Sequence, residues 1–376
     1  MQVLNTTLVL GPYDWNPEVL PLHEFEARVE AVRNTLLANR ASALVIYGDT
    51  FDHGALSYLT GFTPKLNEAF AFLPCQGKPS ILMSGGGAIT EASKKTTWVE
   101  DVRAIGKLES DFETKFRELA AGRELKLGLW HTGRMSERAH RALQAALQPL
   151  GRLVDVQAPL ERLRRRKSAM ELAAIRRACS ILSGVAVHLH SQFDRHRGAR
   201  TLALAAEREA YSLGAQDARV LTSLHHGGPP LPIDSAADHA YDPLLVSIAV
   251  RYAGYYAVGH LTFAGNPRPV VAAAKAGVQA MIRAARPGIS GDVLQQAADA
   301  AMQGAKRNKS RLAFGGIGLS LEEAPAGLTS LTLEAGDVCW FKVDAMGRSS
   351  PGDDRAISSA MVMISETGAE VLWPGV

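Results

Sequence analysis

The sequence predicts an α/β domain followed by an α+β domain, and three observations carry that reading. Helix-period and strand-like segments alternate over the first ~150 residues, as expected of one α/β layer. A basic stretch, Arg162 to Lys167, then feeds a long segment of helical periodicity. Beyond it, helices and strands fall into separate runs, which suggests α+β. The boundary is expected after residue 160, dividing the chain into 1–160 and 161–376.

Each element follows from its pattern. Leu22 to Arg40 places Phe25, Val29, Val32, Leu36 and Leu37 on one helical face, and Ala43 to Tyr47 follows as a buried strand. Strands Ala69–Leu73 and Pro79–Met83 flank a turn at Gly77-Lys78, and a helix is expected near Ala88–Lys94. A strand at Lys126–Trp130 precedes a helix over Ser136–Leu150, where Ala139, Leu143, Ala146 and Leu147 recur at helical spacing. In the second half Ser168 is placed as an N-cap, with Glu171 three residues on completing a capping box. A helix over Arg200–Leu213 and a glycine- and proline-rich loop, Gly227 to Pro232, come next. The stretch Asp242–Phe263 contains the runs Leu244–Val250 and Tyr255–Phe263, joined across Arg251 to Gly254, and reads as a β-hairpin with a glycine turn. Helices at Pro269–Ala285 and Ser290–Lys306 and strands at Asp337–Asp344 and Ile357–Ile364 complete the chain.

Bulk properties exclude several function classes. With 376 residues, 47% of them hydrophobic and 21% charged, the chain is an ordinary globular protein with room for two domains. Forty-one Lys+Arg against 38 Asp+Glu leave +3, too balanced to argue for a nucleic-acid or membrane-surface partner. Cys75, Cys179 and Cys339 are widely spaced and form neither a CxxC nor a Cys/His pair, so no disulfide framework or zinc site is expected. The amino terminus lacks a basic start followed by an apolar core, and no run of about eighteen apolar residues is free of charge. A cytoplasmic location without a membrane span is the expectation.

Several strings together resemble the creatinase, prolidase and aminopeptidase P family, whose catalytic half has the pita-bread fold. LRRRKSAMELAAIRRAC is similar to the family's opening helix, and SYLTGF, Ser57 to Phe62, to a signature of its amino-terminal domain. RYAGYYA, GIGL (Gly316–Leu319), EEAP (Glu322–Pro325) and LEAGDV (Leu333–Val338) fall in the family's order and approximate spacing. The resemblance implies an α/β amino-terminal domain and an α+β pita-bread catalytic domain. Its metal peptidases hold two divalent ions with two Asp, one His and two Glu, which activate water. Aligned on those strings, this chain has Ser247 and Val258 at the Asp positions, Gly315 at the His, and Lys342 and Ser358 at the Glu positions. Valine and glycine supply no side-chain donor and an ammonium repels a cation. No metal and no cofactor are expected.

The replacements carry the functional reading. His260 lies two residues from Val258 and shares its strand face, and at this offset the metal-free creatinases place a catalytic Glu. Lys342 falls in the apolar run VCWFKVDA and is either a salt-bridge partner or a catalytic group that steadies developing negative charge in place of the metal; Asp344, two residues on and on the same face, is its expected partner, the pair orienting a substrate carboxylate or biasing His260. Glu322 stands where the peptidases have a second histidine and can exchange protons, while Glu323 bridges structure or lines the site. His225 and His226 occupy the loop that carries creatinase's catalytic histidine, His226 being preferred. Arg355 is a candidate carboxylate clamp, and Ser247, Ser358, Tyr252 and Tyr256 are candidate substrate contacts, although the tyrosines equally suit packing. The resemblance further implies a homodimer whose amino-terminal domain reaches the partner's site, making Phe62, Lys65 and Asn67 lid candidates. The expected function is metal-independent hydrolysis of a C–N bond, amide or amidine, in a small polar or zwitterionic molecule. A metal-free lyase, cyclase or isomerase and a catalytically inactive scaffold are the alternatives.

Overall fold

The structure, a computed structural model, describes residues 15–233, 238–308, 313–326, 332–349 and 352–375. Most of the amino-terminal stretch read above for a leader lies outside the described residues. The chain divides into two compact units, one ending at Arg164 and the other beginning at Arg165.

The first unit is built on helices α1 (Leu22–Ala38), α2 (Gly54–Thr60), α3 (Ala88–Ser93), α4 (Leu108–Ala120), α5 (Glu137–Leu147) and α6 (Gln157–Arg165). Its strands, β1 (Ala43–Asp49), β2 (Glu68–Pro74), β3 (Ser80–Met83), β4 (Asp101–Ala104), β5 (Leu125–Trp130) and β6 (Gly151–Val154), form one mixed sheet in the order β4-β3-β2-β1-β5-β6. Phe70 and Phe72 of β2 meet Phe112 of α4 edge-on and tilted, and Phe112 stacks on Phe116 with ring centroids 5.7 Å apart. Helix α4 escaped the sequence reading because its apolar face is one narrow stripe, Leu108, Phe112 and Phe116, set among charges. The signature SYLTGF ends the short, fully buried α2: Ser57–Thr60 form its last turn and Gly61, whose φ of 68° suits glycine, caps it.

The second unit opens with the capping box as expected. Ser168 accepts from the Glu171 amide, and the Glu171 carboxylate accepts from the Ser168 amide, starting α7 (Ala169–Gln192). This helix is long and apolar enough to span a bilayer, but its apolar stripe, Ile175, Ile181, Leu182 and Val185, is buried within the unit. After α8 (Ala199–Ser212) come β7 (Asp217–Ser223), β8 (Pro230–Pro232), β9 (Leu244–Tyr252) and β10 (Tyr255–Phe263), an antiparallel sheet in the order β10-β9-β7-β8. The β9–β10 turn is tighter than expected: Arg251 and Tyr252 continue the strand, and Ala253-Gly254, both at positive φ, make the turn.

Helices α9 (Pro269–Ala284) and α10 (Gly291–Ala301) follow, the second ending earlier than its sequence suggested because Lys306–Arg307 form a short strand, β11, paired with Ala345 and Met346. The last sheet runs β13 (Glu323–Ala326), β12 (Phe314–Gly316), β14 (Val338–Ser349), β15 (Gly352–Ile364), β16 (Ala369–Trp373). Its helix-backed face, with Phe341, Val343, Ala345, Ala356, Ala360 and Val362, packs with Val278 and Met281 of α9 and Leu294 of α10 into one core. The opposite face carries Trp340, Lys342, Asp344, Arg355, Ile357 and Ser359, by strand alternation.

Candidate functional site

Alternation along β9 and β10 separates a closed face from an open one. Val246, Ile248, Val250, Gly259 and Leu261 are buried, with Gly259 lying against Trp373 and against Leu182 of α7. Ser247, Ala249, Val258, His260 and Thr262 alternate with them and keep part of their surface open. Ser247 and His260 are directly opposite across the ladder, and Ser247 Oγ lies 2.7 Å from His260 Nδ1. The pair is built into the pleat rather than hung on a loop.

The partly open face of β10 meets the buried face of β15 that carries Ile357 and Ser359. The His260 amide donates to Ser359 Oγ at 2.7 Å, and the Ile357 amide donates to Thr262 Oγ1 at 2.7 Å. The His260 ring stands edge-on to Trp340, centroids 6.3 Å apart, and Lys342 Nζ lies 5.4 Å from the centre of the same indole. Trp340 thus receives a histidine edge on one side and an ammonium in cation–π contact. Burial first, and the Lys342 charge second, push the His260 imidazole down to about 3. His260 is therefore neutral at every ordinary working pH, and its ring nitrogens offer one donor and one acceptor.

The structure brings some of the expected residues together and separates others. His260 and Ser247 share the partly open face of β9 and β10, and Lys342, on β14 of the other sheet, reaches the same Trp340 ring as His260. Asp344 does not pair with Lys342 as the sequence suggested: Arg355 takes it bidentately, Nε to Oδ1 at 2.8 Å and Nη2 to Oδ2 at 2.5 Å. Arg355 is thereby already engaged with a carboxylate of its own chain, and its Nη1 also donates to the Gly227 carbonyl at 3.4 Å. The histidine loop is thus tied to β15 while His225 and His226 stay exposed, the His225 ring lying over Gly228. Glu323 is buried in an ion pair with Lys167 at 2.6 Å, a structural role, whereas Glu322 is exposed on the turn ahead of it. Ser358 stands opposite Val343 and so belongs to the helix-backed face; Ser359, opposite Lys342, is the residue that meets His260.

The tyrosines pack. Tyr252 lies under the Arg177 guanidinium of α7, and Tyr256 is buried with its hydroxyl 3.4 Å from Arg251 Nη1. In the first unit Phe62 is 1% exposed, too enclosed to touch a ligand as a lid residue. Lys65 is half-buried there and, after burial itself, helps push the neighbouring His53 down to about 4; Asn67 is exposed at the β2 edge with a φ of 42°.

Two residues of the site escaped the sequence reading, Trp340 and Ser359. Trp340 stands opposite Gly315, and a Cβ on Gly315 would lie 2.9 Å from its Cζ2. The indole fills the space above position 315, where the resemblance places a metal-binding histidine. Ser247, Val258 and Gly315 with an ammonium at Lys342 do not fit a divalent-cation site, and among the described residues no three His, Cys, Asp or Glu side chains converge on one.

The sequence model of metallopeptidase family M24 matches residues 128–371. Among solved structures, the prolidase from Pyrococcus horikoshii OT3 is similar with a TM-score of 0.72 at 17% identity, covering 92% of this chain and 97% of its own. The X-Pro aminopeptidase from Thermotoga maritima MSB8 gives 0.74 at 17%, covering 92% and 97%. Dipeptidase PepE from Mycobacterium ulcerans gives 0.72 at 21%, covering 93% and 96%. No curated protein sequence matches the chain. At these identities the structural likeness speaks for the fold alone, and it is the pita-bread fold. By the extent of the sequence match, this chain belongs to metallopeptidase family M24.

Proposed function

We propose that the chain is a metal-independent hydrolase that cleaves a C–N bond, amide or amidine, in a small polar or zwitterionic metabolite. The observation that supports it most is the Ser247–His260 hydrogen bond on the open face, 2.7 Å long, with Lys342 beside the same Trp340 ring. An imidazole kept neutral can accept a proton from an attacking hydroxyl without first losing one. The Lys342 ammonium is the group to steady negative charge developing on the scissile carbon's oxygen, the part a metal ion plays in the peptidases. Glu322 and the loop histidine His226, being exposed, exchange protons with water. A homodimer acting on a small molecule, without nucleic acid or membrane, belongs to the same proposal.

The test joins metal analysis to turnover. Protein purified without added metal is analysed for Mn, Zn, Fe and Co and assayed against a panel of small amides, amidines and dipeptides, with His260→Ala and Lys342→Ala alongside. Turnover without bound metal, lost in both variants, is the expected result. Stoichiometric metal that restores turnover after chelation overturns the metal-independent reading. Unchanged turnover in both variants removes them from the chemistry.

A further inference from the structure

We propose that the attacking group is Ser247 Oγ itself, so that the reaction passes through an acyl-serine ester rather than direct attack by water; this rests on the hydrolase reading above. Ser247 and His260 are a directly opposed pair in the β9–β10 ladder, with Oγ 2.7 Å from Nδ1. Both keep part of their surface open, while the residues flanking each of them in sequence are buried. The partly open face is the side from which a substrate carbon reaches the Oγ in this proposal. The strand that carries the histidine is held by the bond from its amide to Ser359 Oγ at 2.7 Å, and the ring is braced by Trp340. A nucleophile and base fixed on adjacent rigid strands meet the geometric requirement for an activated serine.

The chemistry balances with water as the second substrate. Ser247 Oγ bonds to the amide carbon while its proton passes to His260 Nδ1, leaving an oxyanion on the former carbonyl. Collapse of that oxyanion breaks the C–N bond, and His260 returns the proton to the leaving nitrogen. A water molecule then adds to the ester carbon, its proton passing to His260; the C–O bond to Ser247 breaks and Oγ takes the proton back. The sum is amide plus water giving acid plus amine. The imidazolium is disfavoured by burial and by the Lys342 charge. The substrate oxyanion formed in the same step supplies the opposing charge.

Electrophilic probes for serine test the step independently of the unknown substrate. Full-length protein is incubated with phenylmethylsulfonyl fluoride and, separately, with an alkyl fluorophosphonate, then mapped by peptide mass spectrometry. The expected result is one adduct on Ser247, absent in Ser247→Ala and formed at least about 100-fold more slowly in His260→Gln. Ser247→Cys, checked for an unchanged melting transition, should react with iodoacetamide faster than the native thiols and lose amide turnover. If the wild type turns over an amide but takes no adduct, and Ser247→Ala keeps its kcat, water attacks directly and this proposal falls while the hydrolase reading stands. An adduct on Ser247 with no amide or amidine turned over supports the nucleophile and overturns the C–N reading. Neither adduct nor turnover overturns both.

Discussion

The indole of Trp340 lies across Gly315 so closely that a Cβ there would stand 2.9 Å from Cζ2 and 3.0 Å from Nε1. Both residues sit on paired strands, β12 and β14, so neither backbone can easily retreat. Gly315→His, the exchange that returns the family's ligand type to this position, should therefore destabilise the fold by about 1–3 kcal/mol through overpacking. It should confer no metal affinity. Denaturant unfolding of Gly315→His, Trp340→Ala and the double variant checks this, since the double variant should cost less than the sum of the singles. Strict additivity would mean that the two positions do not share that space.

The His260 titration predicts a direction for stability against pH. Its ordinary value of 6.5 is pushed down to about 3, so between those values the unfolded chain binds a proton that the native state refuses. Stability from this group is complete above about 6.5 and falls as pH drops toward 3, by at most about 1.4 kcal/mol per pH unit. His53, pushed down to about 4, works in the same direction. Lys342→Met removes the second of the two causes at His260, so the imidazole resonance should titrate at higher pH by NMR and the acid slope should flatten. An unmoved titration in Lys342→Met would show that the ammonium does not act on that ring.

Asp344 and Arg355 are both largely enclosed and joined by two short hydrogen bonds. Asp344→Asn leaves a buried guanidinium without its counter-charge, and about 3–5 kcal/mol is the expected loss for breaking such a pair from one side. Arg355 also holds the Gly227 carbonyl, so the same variant should free the histidine loop. Limited proteolysis read by mass spectrometry should then show new cleavage between Leu224 and Leu231, and its absence would disconnect the ion pair from the loop.

Much of this fold is legible in the sequence where periodicity is strong and local. The β9–β10 hairpin, the helix opened by Ser168 and the strand Ala43–Asp49 follow from patterns a few residues long. Helix α4 was passed over because charges crowd its single apolar stripe. The site was harder to read because its partners are set by strand pairing. Asp344 and Lys342 share a face, which suggested a pair, yet the diagonal neighbour across the β14–β15 ladder is Arg355, and a planar guanidinium matches a carboxylate better than an ammonium does. Ser358 and Ser359 are adjacent identical residues, and a one-residue choice moves the side chain to the other face. Only the register against Lys342 and Val343 decides between them. Trp340 reads in one dimension as part of an apolar run, and its meeting with Gly315 appears only once β12 and β14 are paired.

Glu171 shows how a feature read correctly from local sequence can carry a second, non-local function. One carboxylate oxygen closes the capping box by accepting from the Ser168 amide at 2.9 Å. The other accepts from the hydroxyl of Tyr255, the first residue of β10, at 3.0 Å, with Glu171 and Tyr255 both buried. Ser168→Ala removes the cap hydrogen bond and should cost about 0.5–2 kcal/mol. Glu171→Ala also removes the acceptor of the buried Tyr255 hydroxyl's hydrogen bond, which adds about 1–3 kcal/mol. Tyr255→Phe should recover part of that additional loss in the Glu171→Ala background, because the hydroxyl that bonds Glu171 is then gone. Chemical denaturation of the three single variants and the Glu171→Ala/Tyr255→Phe pair gives the coupling directly. A coupling near zero would mean that the helix start and the hairpin that carries His260 are fastened by packing alone.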